Sequence, residues 1–205
     1  MKESNSKKAN YHHGNLREAL ITEAMSMLEE EGYEKIKLRA MSERVGTSRT
    51  ALYRHFASKE ALFQAVILRG FDMLDTILNP ILQNGDLSIS ARIIQMGNAY
   101  MDFAVSRPSL YRLMMGEKLM RLREEGCDAE EEIVENAFDN IVSIILQGQK
   151  EKLFQEGDPQ ELATLLWSMV HGQVLLYIDG HMLLHEKRED VFRLGFEVFM
   201  RGVAL

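Results

Sequence analysis

The chain of 205 residues is poor in the residues that staple or interrupt a fold, and each shortage excludes a class of protein. Its single cysteine, Cys127, excludes an internal disulfide framework and suits a reducing cytoplasm. Three prolines in the whole chain favour long, uninterrupted helices. No segment alternates convincingly between apolar and polar residues with period two, and no sequence repeat is present, so strands and solenoid architectures are not predicted.

Long apolar runs and a leader segment are also missing. The longest apolar candidates, such as residues 144–146, are interrupted within a turn or two, which excludes a membrane-spanning helix. The N-terminal segment MKESNSKKAN lacks a hydrophobic core and is predicted to be a flexible polar arm. We therefore expect a soluble, cytoplasmic protein without a membrane partner.

Motifs for catalysis or cofactor binding are absent as well. The sequence contains no phosphate-cradling glycine loop, nucleophile elbow, HExxH zinc motif or convincing pair of carboxylates. His181 and His185 have a spacing suited to a metal, but no third ligand accompanies them. The chain is therefore predicted not to be an enzyme and to use no cofactor or metal.

Charge is distributed unevenly along the chain. The formal net charge is −7, with +2 in residues 1–60 (11 Lys/Arg against 9 Asp/Glu) and −9 in residues 61–205 (13 against 22). From Lys35 to Lys59 there are seven basic residues and one acidic residue, Glu43. A local basic segment inside an acidic protein indicates that any nucleic-acid binding belongs to the N-terminal third.

That basic segment contains the pattern of a helix-turn-helix, LRAMSERVGTSRTALYRHFASKEAL at residues 38–62. Its apolar residues have the spacing of two short helices that bury one face, and Gly46 permits the turn between them. Ser48 is predicted to cap the second of these helices and Ser58 the following one, whereas Lys37 cannot act as a cap. The second helix, of about seven residues or roughly 10 Å, fits a major groove about 12 Å wide.

Helical patterns continue through the rest of the chain. Predicted helices run from about residue 60 to Asn79-Pro80, from Ser88 to Ser106, over 110–122, from an acidic start at 130–132 to about residue 145, from Pro159 to Ile178, and over 188–202. A first helix after Asn15 precedes the helix-turn-helix and ends at Gly32.

These residues resemble the DNA-binding segment of the TetR/AcrR transcriptional regulators over about fifty residues. Tyr11-His12-His13-Gly14-Asn15-Leu16 and Trp167-x-x-x-His171-Gly172 are similar to the branch named for a Trp-His-Gly motif in its C-terminal domain. The resemblance implies an all-α protein of about nine helices. Residues 10–60 would form the DNA-binding domain and residues 61–205 a ligand-binding and dimerisation domain.

The resemblance also implies a homodimer that pairs its last two helices in a four-helix bundle. Two apolar stripes on the penultimate helix support this independently, because one stripe can face the protomer's own core and the other a second subunit. The stripes are Leu162, Leu165, Leu166, Met169, Gln173 and Leu176 for one, and Trp167, His171, Val174 and Ile178 for the other. Phe192, Phe196, Phe199 and Met200 give the last helix a bulky apolar face.

Seven residues are predicted to contact DNA. Arg49 and Thr50 are assigned to base edges, since arginine pairs well with guanine. Phosphate contacts are assigned to Tyr53, His55, Lys59 and Arg39, and Ser48 lies at the start of the same helix. Lys7 and Lys8 form either an additional DNA-contacting arm or a disordered tail.

A regulatory ligand is predicted to bind in the acidic C-terminal part. The assigned residues are Tyr100, Phe103, Met114, Trp167 and His171. A core tryptophan beside a hydrogen-bonded histidine fits the spacing of the last two equally well. The sequence thus predicts a ligand-responsive regulator, most simply a repressor, that binds a pseudo-palindromic DNA operator and is released by a small apolar effector. The alternative is a helical small-molecule-binding protein or enzyme without DNA binding.

Overall fold

The computed structural model describes residues 16–116, 128–181 and 188–203, with side chains for 16–116, 138–181 and 193–203. Within these ranges the chain is all-helical, as predicted, with nine α-helices, one 3-10 turn at Tyr33–Lys35 and no strand. The helices are α1 Leu16–Glu31, α2 Leu38–Val45, α3 Arg49–His55, α4 Lys59–Leu82, α5 Ile89–Ser106, α6 Pro108–Met115, α7 Asp128–Lys150, α8 Pro159–Ile178 and α9 Arg188–Val203.

The chain divides into two compact units between Val66 and Ile67, a point that lies inside α4. The sequence had placed the domain boundary between residues 60 and 61. In the first unit, α1 packs against both α2 and α3. The core of this unit is mainly apolar and includes Leu20, Ile21, Ala24, Met27, Leu28, Met41, Val45, Leu52, Phe56 and Leu62.

The turn between α2 and α3 depends on a left-handed glycine. Gly46 has φ 73° and ψ 30°, a conformation that costs an L-residue energy but suits glycine. The amides of Gly46 and Thr47 donate to the carbonyls of Glu43 and Ser42, at 3.2 and 2.9 Å. This pair of bonds ends α2 and satisfies its last carbonyls. The buried hydroxyl of Ser42 donates to the Leu38 carbonyl at 2.9 Å, so this polar group is paired inside the core.

The helix starts follow the predicted capping pattern. Ser48 Oγ accepts from the Ala51 amide and Ser58 Oγ from the Ala61 amide, both at 3.1 Å. Lys37 precedes α2 in extended conformation and makes no side-chain cap, as its chemistry requires. In the second unit, Ser88 and Asp158 cap α5 and α8 in the same manner.

The second unit is organised around α8, which packs against α5, α7 and α9. Its core includes Phe71, Ile93, Tyr100, Phe103, Leu110, Tyr111, Met114, Ile144, Ile145, Leu166, Val170, Val174, Phe196 and Phe199. Arg92 is also buried, and it donates to the Leu82 carbonyl at the end of α4 and to Gln147 Oε1 on α7, both at 2.8 Å. A cation at the negative end of a helix dipole is favourably placed, so Arg92 fastens α4 and α7 to α5.

Some helix ends differ from the sequence prediction. Helix α4 was predicted to stop around Asn79-Pro80 and continues two residues further, to Leu82, with Pro80 inside its last turn, and α7 continues to Lys150 rather than to about residue 145. The Gln83 amide still donates to the Asn79 carbonyl at 3.0 Å, so the missing amide of the proline does not end the turn. Helix α6 begins at Pro108, two residues earlier than predicted, and its predicted continuation over 117–122 lies outside the described residues.

The outward faces of α8 and α9 correct the predicted division of apolar stripes. Phe196 and Phe199 are buried in the protomer's own core, and Leu166 is buried although Leu165 beside it is exposed. Among the described side chains of these two helices, the large apolar ones that remain exposed are Leu165, Leu176, Leu194 and Val198. The exposed apolar face of that part of α8 and α9 is therefore aliphatic.

Several predictions fall on residues outside the described ranges. These are the arm with Lys7 and Lys8, the cap at Asn15, Cys127, and the side chains of His185 and Phe192. Within the part of the chain that is described, no helix combines the length and apolar character needed to cross a membrane.

Candidate nucleic-acid interface and regulatory site

Helix α3 presents one apolar side to the core of the first unit and a polar side to solvent. Leu52 is completely buried, whereas the remaining side chains from Arg49 onward, Ala51 excepted, are exposed. The predicted DNA-contacting residues of this helix, Arg49, Thr50, Tyr53 and His55, all belong to that exposed set. The structure therefore brings them together on one short helix that follows the glycine turn, which is the arrangement of a recognition helix.

Arg49 and Tyr53 hold each other in place on this face. They are one helical turn apart, with the Arg49 guanidinium 5.4 Å from the Tyr53 ring centroid and its NH2 group 3.4 Å from the hydroxyl. This contact leaves most of the guanidinium donors unused, and a guanine edge requires two of them. Tyr53 therefore helps to orient Arg49 in addition to any phosphate contact of its own.

The two arginines of α2 have different partners. Arg39 is almost fully exposed and pairs with Glu43 one turn away, at 3.0 Å. Arg44 instead reaches α1, where its Nη1 lies 3.2 Å from Glu23 and 2.7 Å from Glu30. The hydrogen bond that Arg44 donates to Glu30 lowers the pKa of Glu30 and raises the pKa of Arg44. Arg39 is available to a phosphate, whereas Arg44 ties α2 to α1.

Lys59 lies half-buried against an aromatic pair. Its Nζ donates to the Tyr33 carbonyl at 2.6 Å and sits 4.2 Å from the Tyr33 ring centroid and 6.0 Å from that of Phe63. The two rings are themselves in edge contact at 4.8 Å. This cation–π environment holds the start of α4 to the 3-10 turn. A phosphate would have to share or replace these contacts, so the phosphate role of Lys59 stays a prediction.

A second polar cluster lies inside the C-terminal unit. The hydroxyls of Tyr100 on α5 and Tyr111 on α6 are 2.8 Å apart, and the Tyr111 hydroxyl is 2.5 Å from Nδ1 of His171 on α8. Tyr111 is fully buried and Tyr100 nearly so. We call these three residues the Tyr–Tyr–His relay. It joins three helices through polar groups in an otherwise apolar core.

The relay is held in its neutral form by burial. Desolvation raises the pKa of Tyr100 to about 12 and also raises that of Tyr111, and it lowers the pKa of His171. Trp167 stacks on the His171 ring at 5.1 Å between centroids, and its other neighbour is the edge of Phe138 at 6.5 Å. The predicted pair Trp167–His171 therefore lies on one face of α8, beside Tyr100.

The other two residues predicted to bind an effector are placed differently. Phe103 is almost completely buried, and the Arg107 guanidinium lies 5.5 Å from its ring centroid. Met114 is fully buried where α6 crosses α4, and a side chain at Gly70 would overlap its sulfur. These two residues pack the core, and the structure does not place them in the relay.

Tyr33 and Glu23 are partners to which the sequence assigned no role, and Tyr111 was predicted only as one of several residues that could line a pocket, without its partners. Tyr111 is central to the relay, but its sequence distance from His171 is 60 residues. Glu23 and Tyr33 lie 21 and 26 residues from the side chains that they bind. Helical periodicity identifies contacts one turn apart, so it carried no signal for these pairings.

Families of known proteins match both the helix-turn-helix segment and the C-terminal unit of this chain. Residues 20–66 match the family described as "Bacterial regulatory proteins, tetR family", and residues 93–199 match "Tetracyclin repressor-like, C-terminal domain". The second match alone spans more than half of the chain. The chain belongs to the TetR family. The predicted family, fold class and DNA-binding helix-turn-helix are confirmed, and the Trp-His-Gly branch stays a prediction.

Several relatives that are similar in sequence are nucleoid occlusion factors. The nucleoid occlusion factor SlmA of Idiomarina loihiensis is 31% identical over 175 residues, covering 80% of this chain and 84% of that protein. The SlmA of Photobacterium profundum is 29% identical over 170 residues, with 80% and 84% covered.

Solved structures show the same fold over nearly the whole chain. A protein of unknown function from Rhodococcus sp. RHA1 has a TM-score of 0.83 with 27% identity and covers 97% of this chain and 100% of its own. The ketosteroid transcriptional regulator KstR2 of Mycobacterium tuberculosis has a TM-score of 0.68 with 19% identity, covering 95% and 97%. The second likeness supports the fold alone.

Proposed function

We propose that this TetR-family protein is a cytoplasmic, ligand-responsive repressor that acts by binding rather than by catalysis. It would bind a pseudo-palindromic DNA operator as a homodimer and leave it when a small apolar effector occupies the C-terminal unit. The observation that carries this proposal is the exposed face of α3, where Arg49, Thr50, Tyr53 and His55 follow the Gly46 turn. A seven-residue helix with this surface matches the major groove in length and in hydrogen-bonding groups.

The remaining assigned residues would fix the position of α3 on the duplex. Ser48 Oγ uses a lone pair to cap the helix and keeps its own proton to donate to a phosphate. Arg39 and Lys59 would add charge on either side, at the starts of α2 and α4. Contacts of this kind set register and give affinity that falls with salt, whereas Arg49 and Thr50 carry the sequence preference.

Homodimerisation would supply the second recognition helix. The aliphatic face of α8 and α9 supports this, because Leu165, Leu176, Leu194 and Val198 are each at least half exposed in the protomer. On α8 the face also contains Gly172, where an added Cβ would meet nothing within 4 Å. Two copies related by a two-fold axis would bury these faces against each other and present two copies of α3 to two half-sites.

Selection of bound DNA from a random library tests the proposal. The expected result is an inverted repeat whose half-sites are separated by about one helical turn, 10–10.5 base pairs. A failure to enrich any sequence would contradict operator binding and would leave the alternative of a small-molecule-binding protein or enzyme.

Substitution of Arg49 tests the predicted base contact. Arg49→Ala should lower operator affinity by about 5- to 150-fold, the equivalent of about 1–3 kcal/mol for a bidentate base contact, and should relax the preference at one base pair per half-site. Arg54→Ala is the matched control, since it removes the same charge from the exposed side of the same helix. It should weaken all sequences about equally. An equal loss of sequence specificity in both variants would contradict the assignment of Arg49 to a base contact.

The relatives compared above are nucleoid occlusion factors, and this similarity favours nucleoid occlusion as a second candidate function. They match this chain over 80% of its length, which includes both units. The two functions predict different phenotypes of a deletion strain. Loss of a repressor changes the transcript level of genes beside the operator, whereas loss of a nucleoid occlusion factor changes where cells divide relative to their DNA. Transcript profiling and imaging of septa and chromosomes in one strain discriminate between them.

A further inference from the structure

The hydrogen-bond direction in the Tyr–Tyr–His relay is fixed by the number of protons that its members carry. Each tyrosine hydroxyl has one proton to donate, and the relay contains two bonds, Tyr100–Tyr111 and Tyr111–His171. If Tyr111 donates to His171 Nδ1, then Tyr100 donates to Tyr111, and both protons are used. If His171 donates from Nδ1 instead, one hydroxyl proton is left over. It is the Tyr100 proton when Tyr111 donates to Tyr100, or the proton of the fully buried Tyr111 when Tyr100 donates to Tyr111, and neither then has an acceptor among the described residues.

The second arrangement leaves a polar hydrogen unpaired on a side chain that is at most 8% exposed. Such a buried, unsatisfied donor is disfavoured, so the first arrangement is the stable one. His171 is then the tautomer that carries its proton on Nε2. The low pKa of His171 agrees with a neutral ring in this position.

The Nε2–H group of His171 is the free end of the relay. It has no hydrogen-bond partner among the described residues. It is also not buried, since the buried atoms without a partner in that part of the chain are Arg92 Nε and Gln173 Oε1. The imidazole is held by Tyr111 at one nitrogen and by the stacked Trp167 ring on its face. A single, oriented and accessible donor therefore stands beside an apolar aromatic surface.

The surroundings favour an uncharged acceptor at this donor. Arg112, next to Tyr111 in the sequence, already pairs with Asp179 Oδ1 at 2.6 Å and donates to the Ile178 carbonyl at 2.7 Å. Its charge is therefore compensated within the protein rather than left for a ligand carboxylate. A carboxylate at Nε2 would itself favour protonation of His171, and a proton on Nδ1 leaves one of the two hydroxyl protons without an acceptor.

We propose that the effector of this protein is an uncharged, mainly apolar molecule with a carbonyl-type oxygen, and that this oxygen accepts a hydrogen bond from His171 Nε2 while the apolar body contacts Trp167. The proposal rests on the proposed function, because it specifies the ligand of the same C-terminal unit. Tyr100 and Tyr111 act as positioning residues, since they fix which nitrogen of His171 carries the proton.

The tautomer is tested first, on the unmodified protein. Two-dimensional ¹H–¹⁵N spectra that correlate the imidazole nitrogens with the ring carbon-bound protons identify the protonated nitrogen, and the His171→Gln variant assigns the signal. At pH 7.5 the expected form is neutral with the proton on Nε2. A proton on Nδ1, or a charged imidazolium, would overturn the proposal without any substitution in the core.

Ligand class is tested with three bicyclic probes of one shape: 2-decalone, decalin and decahydro-2-naphthoate. Trp167 is the only tryptophan in the chain, so its fluorescence reports binding at this site. The ketone should bind about 2- to 10-fold more tightly than the hydrocarbon, the effect of one neutral hydrogen bond, and also more tightly than the carboxylate. Equal binding of ketone and hydrocarbon, tightest binding of the carboxylate, or no binding of the ketone contradicts the proposal.

Variants connect this preference to the relay. His171→Phe keeps a ring against Trp167 and should abolish the advantage of the ketone over decalin. The double variant Tyr111→Phe/His171→Phe removes the donor to His171 together with its acceptor, and it should also lose the advantage of the ketone. Its melting temperature is measured alongside, because the Tyr100 hydroxyl then lacks the acceptor that Tyr111 supplied. Tyr177→Phe, on the same helix, is the control and should retain the ketone preference. Retention of the preference in both relay variants contradicts the assignment.

Operator binding by the unliganded protein separates the two proposals. If selected DNA is bound but no probe preference is found, the effector proposal fails and the regulator proposal stands. If no DNA is bound while the ketone preference and its loss in the relay variants are observed, the effector class stands as a ligand class and the regulator proposal fails.

Discussion

Gly148, near the end of α7, lacks a side chain at a point where the Phe154 ring packs against the helix. A Cβ at this position would overlap the ring of Phe154, which is buried in the loop that leads to α8. Glycine in a helix interior costs about 1 kcal/mol relative to alanine, so the close ring contact must compensate for that cost. We expect Gly148→Ala to lower the free energy of unfolding by about 1–3 kcal/mol, because the ring has to move from a packed position.

Thermal and urea denaturation measure this effect. Gly202→Ala is the matched control, since an added Cβ at Gly202 would meet nothing within 4 Å in α9. Its expected effect is between zero and a gain of about 1 kcal/mol. An unchanged or increased melting temperature of Gly148→Ala would show that Phe154 is free to move aside.

His171 gives the stability of the protein a dependence on pH. Burial lowers its pKa in the folded state below the value of about 6.5 in the unfolded chain. Between these two pKa values the unfolded state binds a proton that the folded state does not bind. The contribution of His171 to stability is therefore complete above about pH 6.5 and falls as the pH decreases toward the folded-state pKa.

Melting temperatures between pH 8 and pH 5 test this sign. The wild-type protein should lose more stability over this interval than His171→Gln, which keeps a hydrogen-bond acceptor but does not titrate. Tyr100 and Tyr111, which face His171, remain neutral across the same interval because burial raises the pKa of both. Parallel pH curves for the two proteins would contradict the prediction.

At the level of single residues, local chemistry was predictable and distant partners were not. Caps such as Ser48 and Ser58 follow from the sequence, since the donor amide is three residues away. The contacts of Lys59 with Tyr33 and of Arg44 with Glu30 depend on tertiary packing. For that reason the sequence assigned Lys59 to a phosphate and gave no indication of its aromatic neighbours.

Helix α2 has a start that can be improved. Lys37 has the extended backbone of a cap, with φ −113° and ψ 125°, but its side chain makes no cap hydrogen bond. Lys37→Ser should stabilise the protein by about 0.5–2 kcal/mol, because serine would accept from a free amide of the first turn.

Lys35→Ser is the control for this substitution. It removes the same charge from an exposed position in the preceding 3-10 turn, where no α-helix begins. Urea denaturation should show a gain in Lys37→Ser alone, whereas operator affinity should fall by a similar amount in both variants. A gain of equal size in Lys35→Ser would attribute the effect to charge repulsion in the basic segment.

At the level of whole elements, hydrophobic periodicity predicted which helices exist better than it predicted where they end or which face they bury. The starts and ends of α5 and α8 were located correctly by Ser88, Asp158 and the Asp179-Gly180 end. Pro80 was taken as a stop, although a proline in the last turn removes a single hydrogen bond. The two apolar stripes predicted on α8 did not reveal which side chains meet the protomer's own core, since Leu166 is buried and Leu165, from the same stripe, is exposed.

For the whole molecule, the aliphatic face of α8 and α9 makes a prediction about oligomeric state. Leu194 and Val198 are each 59% exposed, so charge at these positions costs the isolated protomer little. Leu194→Glu/Val198→Glu should convert the proposed dimer to a monomer, because two-fold symmetry doubles every introduced charge in the interface. Size-exclusion chromatography with light scattering measures the change.

Leu153→Glu is the control for the dimer test, since Leu153 is similarly apolar, 45% exposed and located in the loop before α8. The control should remain dimeric. Loss of operator affinity should accompany loss of the dimer, because a monomer engages one half-site. A double variant that remains dimeric would place the interface on another surface.

At the scale of the whole chain, the distribution of charged residues predicted which part of the sequence contains the DNA-binding helix-turn-helix. The net charge is +2 in residues 1–60, which include the helix-turn-helix, and −9 in residues 61–205. The Tyr–Tyr–His relay was not predictable in this manner, since its central residue, Tyr111, is defined by partners on α5 and α8. The TetR-type DNA-binding segment has a recognisable sequence pattern, whereas hydrogen bonds between buried side chains of different helices leave no pattern in the sequence.

The Tyr–Tyr–His relay also bears on the thermodynamics of effector binding. Three rotors, two hydroxyls and an imidazole, lose their orientational freedom when the C-terminal unit folds rather than when a ligand arrives. A ligand that meets Nε2–H of His171 therefore has few protein groups left to order. Calorimetric titration of Tyr100→Phe, in which Tyr111 has lost one of its two fixed partners, should show a less favourable binding entropy than titration of the wild type.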